Sequence, residues 1–217
     1  SIHVYQKKRA LLKELYGLRK RYPGAIKGSE LLRVVKSGML MDPEEHNRLL
    51  EQLLDHVKGS AAPEEVGERQ MKVVLAGNIC SFPDIVDLIE DSGAVIVDDQ
   101  LCTGARYFMG DDDGPELKDE KGALSRIAGI YSNKLPCPVK YHSGMKRDEV
   151  LISSLEDSGA EGVIFLLLRL CEPYSYDYTF LKRALDQKGY PSLIVEYEQQ
   201  TESFHQLQTR VEAFVES

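Results

Sequence analysis

Val163 to Leu168 is an unbroken apolar run of strand length, bounded by Gly162 and a polar turn, the pattern of a strand buried on both faces of a parallel sheet. Beyond Cys171, Pro173 sits where it can open a helix, and Phe180, Leu181, Ala184 and Leu185 recur at helical spacing until Gly189 and Pro191 end it. Leu193 to Val195 makes the next strand. This strand, helix, strand unit puts the Cys171 thiol at the carboxyl end of its first strand, the edge at which open α/β sheets bind ligands.

Upstream, the apolar positions fall at helical spacing only. Val4, Leu11, Leu12, Leu15 and Leu18 form a stripe that Pro23-Gly24 ends; Ser29 with Leu31, Leu32, Val34 and Val35 begins a second; Asp42-Pro43-Glu44-Glu45 opens a third, which carries Leu49, Leu50, Leu53 and Leu54. Gly59 to Gly67 has the composition of a linker. From Lys72 the pattern alternates. Val73 to Ala76 and Val95 to Val97 read as strands, Gly77-Asn78 as a turn, and Pro83 to Asp91, Gly122 to Tyr131, Lys146 to Glu156 and Phe204 to Val215 as helices. Glu90-Asp-Ser-Gly-Ala94 recurs as Glu156-Asp-Ser-Gly-Ala160, each closing a helix and opening a strand, as consecutive βαβ units do. Shared capping chemistry accounts for that match. The prediction is an α/β fold, a flavodoxin- or Rossmann-like three-layer sandwich with a mainly parallel sheet over residues 69–217, preceded by a helical segment over residues 1–68. Helices before any strand are the natural opening for the later part of a longer protein.

The 217 residues, 42% of them apolar, can build a core without staples. A net charge of −8 argues against a general nucleic-acid surface, and the basic stretch Lys7 to Arg21 reads as a solvated helix face. Without an apolar run of membrane length or a signal-peptide pattern, a cytoplasmic location is the default expectation. The four cysteines are too scattered for a disulfide scaffold.

Cys80, Cys102 and Cys171 each follow a predicted strand, so in a parallel sheet they share one edge. Soft thiolates suit iron–sulfur clusters or zinc, yet none stands in a close Cys-x-x-Cys, and buried free thiols are the other reading. Cys137, between Pro136 and Pro138, has a structural setting. Asp98 and Asp99 at a strand end suggest the acidic pair of a phospho-accepting receiver, but Glu196-Tyr197-Glu198 supplies no matching lysine. Arg106 is expected to pair with Asp98 or Asp99, the alternative being an anionic phosphate or carboxylate. Asp111-Asp-Asp-Gly114 lacks the further oxygens of a calcium loop and reads as a solvated turn.

Four segments together resemble the 2-hydroxyacyl-CoA dehydratase and benzoyl-CoA reductase family, in its D-component-like group. They are Gly77-Asn78 with Pro83 to Gly93; Asp98-Asp-Gln-Leu-Cys-Thr-Gly-Ala-Arg106; Gly162 to Leu170-Cys-Glu-Pro173; and Gln206 to Glu216. Met39-Leu-Met-Asp-Pro-Glu-Glu45 looks like the family's inter-domain helices. The resemblance implies flavodoxin-like domains, a related second subunit, an acyl-CoA substrate, a [4Fe–4S] cluster held by cysteines, and an ATP-hydrolysing iron–sulfur activator that injects one electron. It implies removal of water from an (R)-2-hydroxyacyl-CoA through a ketyl radical anion or, in the reductases, reduction of an aromatic ring. The family's last cluster cysteine corresponds to Cys171, with Glu172 where Asp is usual, and its earlier ligand cysteines lie in an amino-terminal domain that this sequence lacks. The resemblance therefore implies the carboxy-terminal part of a subunit, inactive alone. Cys102 and Arg106 match a recurrent family segment and, with Asp98 and Asp99, form a possible substrate or structural site. A non-catalytic α/β module that binds a small ligand or a partner is the reading from another class.

Overall fold

Apolar runs without a polar alternate can be buried only between two layers, and the sheet is built that way. The computed structural model describes residues 2–60, 70–80, 83–110, 119–140, 144, 146–198 and 205–217. Strands β1 (Met71–Gly77), β2 (Ala94–Gln100), β3 (Gly162–Leu168) and β4 (Ser192–Tyr197) form a parallel sheet in the order β2-β1-β3-β4. One face carries Val73, Leu75, Ile164 and Leu166 under α4 (Pro83–Asp91) and α9 (His205–Val215). The other carries Val74, Ala76, Val163 and Phe165 under α7 (Arg147–Ser158) and α8 (Glu172–Lys188). This is the expected three-layer sandwich. Both copies of the Glu-Asp-Ser-Gly-Ala recurrence close a helix, α4 and α7, and lead into a strand.

Helices α1 (Ile2–Arg21), α2 (Gly28–Leu40) and α3 (Pro43–Ser60) form a second core with α5 (Ala105–Phe108), around Leu12, Leu15, Leu31, Leu50, Leu54 and Phe108. Helices α1, α2 and α5 lie against β2, α2 also on α4, and α3 packs on α1 and α2. Helix α3 runs through Gly59, which was expected in a linker; the rest of that linker and the boundary near residue 68 lie outside the described residues. So do Asp111 to Gly114 and Phe204. Helix α6 (Glu120–Ser132) covers the predicted Gly122 to Tyr131. No helix among the described residues is long and apolar enough to cross a membrane.

The basic stretch of α1 is the solvated face expected of it at Lys7, Lys13 and Arg21, but not throughout. Lys8 and Arg19 are 3% and 1% exposed, and Lys20 turns to Asp98 at 2.8 Å. Helix packing on α1 takes in more than its apolar stripe, and each buried cation is met by an oxygen from another element. Lys8 Nζ donates to the Gly38 carbonyl, beside the buried ring of His46, whose Nε2 donates to the Val34 carbonyl at 3.1 Å. Burial pushes His46 below its ordinary pKa, the bond to Val34 opposes this, and Lys8 adds to it. A histidine depressed in the folded state contributes stability above the unfolded value, about 6.5, and loses it as pH falls through and below that value. The melting temperature should therefore drop between about pH 7.5 and about pH 5.5, and His46→Gln should drop less steeply, as calorimetry across that range will show.

Candidate functional site

The connection after β1 enters α4 on one face and leads outward to β2. The connection after β3 enters α8 on the opposite face and leads outward to β4. The carboxyl ends of β1 and β3 are therefore the topological switch point, the place at which open α/β sheets take ligands. Cys171 stands there. It is the N-cap of α8, half-buried, and its thiol makes no capping hydrogen bond. Leu170, just before it, is 98% exposed with a φ of 69°. A left-handed leucine costs about 1–2 kcal/mol and persists only where its surroundings hold it.

Those surroundings are hydrogen bonds that close on the turn from both sides. Asn78, at the end of β1, reaches across to β3, its Oδ1 accepting from Leu168 N at 3.0 Å and its Nδ2 donating to Leu168 O at 3.4 Å. Cys171 N donates to the same Leu168 carbonyl at 3.2 Å, and Arg169 N donates to Tyr197 O at 2.9 Å. Gly77 lets β1 come this close, since a Cβ there would lie 2.0 Å from the Leu166 carbonyl oxygen. On the helix side, Cys171 O accepts from Tyr174 N at 3.1 Å and from Ser175 N at 3.2 Å.

Tyr174 carries the turn into the protein. Its buried phenol oxygen accepts from Arg106 of α5 and, at 2.9 Å, from Arg147 of α7. Both guanidiniums also donate to the Pro136 carbonyl, at 3.3 and 2.7 Å. Arg147 pairs with Asp177 at 2.7 Å, while Arg106 donates to the Cys102 sulfur at 3.3 Å and meets no carboxylate among the described residues. The expected pairing of Arg106 with Asp98 or Asp99 is thus corrected: α5 starts beyond the acid pair and aims Arg106 toward α8. Burial pushes the Cys102 thiol up, with Arg106 opposing, so Cys102 is held as a thiol.

Asp98 and Asp99 face the helical segment instead. Asp98 takes Lys20 at 2.8 Å, Ser154 Oγ at 2.6 Å and Arg19 at 3.8 Å. Asp99 accepts from Tyr16 Oη at 2.7 Å, Arg19 at 3.2 Å, Ala105 N at 2.8 Å and Leu101 N at 3.3 Å. The pair clamps α1 and α7 onto β2, beside a cavity of about 480 Å³ that Lys20, Arg106, Leu135 and Val150 also line. Gly104 makes room for this clamp, for a Cβ there would lie 2.0 Å from Asp99 Oδ1. Gly104→Ala should cost about 1–3 kcal/mol, read as a lower urea midpoint.

All three strand-end thiols occupy the expected edge, near Tyr197, whose phenol is pushed by burial well above its ordinary pKa. They are divided between faces, however. Cys80 is fully buried in the core under α4, tied to the next loop by Thr103, whereas Cys102 and Cys171 pack on the side of α8. Among the described residues no three metal-ligating side chains gather, so the weaker reading of Cys80, Cys102 and Cys171 as one metal site finds no support in their placement. Cys137 is exposed and opens a turn closed by Lys140 N. Sequence reasoning missed Asn78, Arg147 and the phenol of Tyr174. Only Tyr174, one helical turn after Cys171, left a signal there.

A family model described as 2-hydroxyglutaryl-CoA dehydratase, D-component, matches residues 1–217. Over the whole chain the sequence is 30% identical to the (R)-2-hydroxyglutaryl-CoA dehydratase subunit beta of Acidaminococcus fermentans and 27% identical to the (R)-phenyllactyl-CoA dehydratase beta subunit of Clostridium sporogenes, covering 56% of each. It is also 22% identical to one of the benzoyl-CoA reductase subunits of Thauera aromatica, covering 55% of it. The chain thus spans just over half the length of these relatives.

Proposed function

We propose that this chain, which belongs to the 2-hydroxyglutaryl-CoA dehydratase D-component family, serves as the carboxy-terminal part of an iron–sulfur subunit that removes water from an (R)-2-hydroxyacyl-CoA. The observation that carries this reading is the placement of Cys171: a half-buried thiol without a capping bond, at the topological switch point of the sheet, on a backbone held left-handed at Leu170. A soft thiolate in that setting suits iron. The chain fits one ligand place of a [4Fe–4S] cluster, and the other ligands would come from outside the described residues. When bound, the cluster supplies a low-potential electron. The chain's own share is to present Cys171 at a fixed angle, through Asn78 and the first turn of α8, and to bring guanidinium charge to the thiol corner through Arg106.

In this reading the partners are a related second subunit, an ATP-dependent iron–sulfur activator and the acyl-CoA, in the cytoplasm, and the chain alone is inactive. A benzoyl-CoA-type ring reductase is the second reading, favoured by the whole-chain match to a reductase subunit. Turnover by the natural protein carrying this chain, purified with its partner subunit, activator and ATP, decides between them. Water loss from lactoyl-, phenyllactoyl- or 2-hydroxyglutaryl-CoA is expected. Consumption of benzoyl-CoA instead selects the reductase, and no reaction with either favours a non-catalytic module.

A further inference from the structure

Arg106 and Arg147 bring two guanidiniums onto one neutral phenol and one carbonyl, with Asp177 as the single carboxylate among their described partners. An excess of positive charge on half-buried side chains is costly unless an anion offsets it. Nothing in the acid clamp does so, because Asp98 and Asp99 are taken up by Tyr16, Arg19, Lys20 and Ser154. The excess sits beside the thiol edge instead. Arg106 touches the Cys102 sulfur at 3.3 Å, and the phenol it holds belongs to Tyr174, whose backbone N–H donates to the Cys171 carbonyl at 3.1 Å.

We infer that Arg106, held in place by Tyr174 and Arg147, is a positioning residue that tunes the electron affinity of the iron–sulfur group bound through Cys171. The inference rests on the cluster reading above. A thiolate-ligated cluster is anionic and gains one further negative charge when one electron reduces it, so a nearby fixed cation stabilises the reduced form more than the oxidised one. The electron comes from outside, from the activator in the reaction and from titanium(III) citrate in the test, which is oxidised to titanium(IV) as the cluster is reduced. Tyr174 holds Arg106 at the Cys102 side and links it through the first turn of α8 to the residue that carries the ligand thiol.

The test is an EPR-monitored reductive titration of the natural protein carrying this chain, as wild type, Arg106→Gln and Arg106→Lys, with iron content and melting temperature measured on each. Loss of the cation should move the midpoint to more negative potential with iron retained, and lysine, which restores the charge, should move it back toward wild type. An unshifted midpoint in an iron-replete Arg106→Gln protein overturns the inference and leaves the cluster reading standing. Equal loss of iron and of melting temperature in both variants shows a structural role and also overturns it. Wild-type protein without iron removes the cluster reading and the inference together.

Discussion

Asp99→Ala should lower the unfolding free energy by about 3–5 kcal/mol, among the largest effects of any single substitution in this fold. The carboxylate accepts four hydrogen bonds from α1, α5 and the turn between β2 and α5. Its removal leaves the Arg19 guanidinium, 1% exposed, with Asp98 at 3.8 Å as its remaining carboxylate. It also strands the Tyr16 hydroxyl, whose burial already pushes its pKa well up. A buried charge stripped of its partner costs far more than the pair contributes when whole, so the effect should shrink when both charges go. Urea unfolding of Asp99→Ala beside the double variant Arg19→Met, Asp99→Leu checks this. The double variant should recover most of the lost midpoint. Equal loss in both would mean that packing, not the stranded charge, sets the cost.

The second large effect separates chemistry from fold. Cys171→Ser should abolish turnover in the natural protein, while in the isolated chain, which is expected to hold no cluster, it should leave the melting temperature level or slightly raised. A hydroxyl is a poor substitute for a soft thiolate on iron. At the N-cap of α8, by contrast, serine is a preferred residue, since its oxygen can accept from the free N–H groups of the first turn, which the Cys171 thiol does not do. Full turnover in this variant would remove the ligand assignment, and collapse of the fold would show that the thiol is a core group.

What could be read from the residues follows from what buries them. Val163 to Leu168 announces a central strand because two apolar layers leave no polar alternate, and β3 lies inside the sheet with both faces covered. Asp42-Pro43-Glu44-Glu45 marks a helix start by local capping chemistry, where α3 begins. Cys171 was legible because strand and helix periods meet at it. The fates of Arg19 and Arg106 were not. Arg19 is buried by an aspartate 80 residues further along, and the partner of Arg106 is a tyrosine 68 residues away. Neither distance leaves a mark in any local window, and the nearer acids, Asp98 and Asp99, made the wrong pairing for Arg106 the natural one. Three thiols at one sheet edge left a shared metal site open as the weaker reading, and topology separates them: Cys80 follows β1 to one face while Cys102 and Cys171 pack on the other, which the strand-end positions alone do not reveal.

The proposal that Cys171 carries iron is tested most directly by iron and acid-labile sulfide, with an EPR spectrum, after anaerobic reconstitution of the natural protein, its Cys171→Ser variant and the 217-residue chain alone. A cluster in the natural protein, absent from the variant and from the isolated chain, is the expected result. A cluster that survives Cys171→Ser, or one that forms fully in the isolated chain, would contradict it.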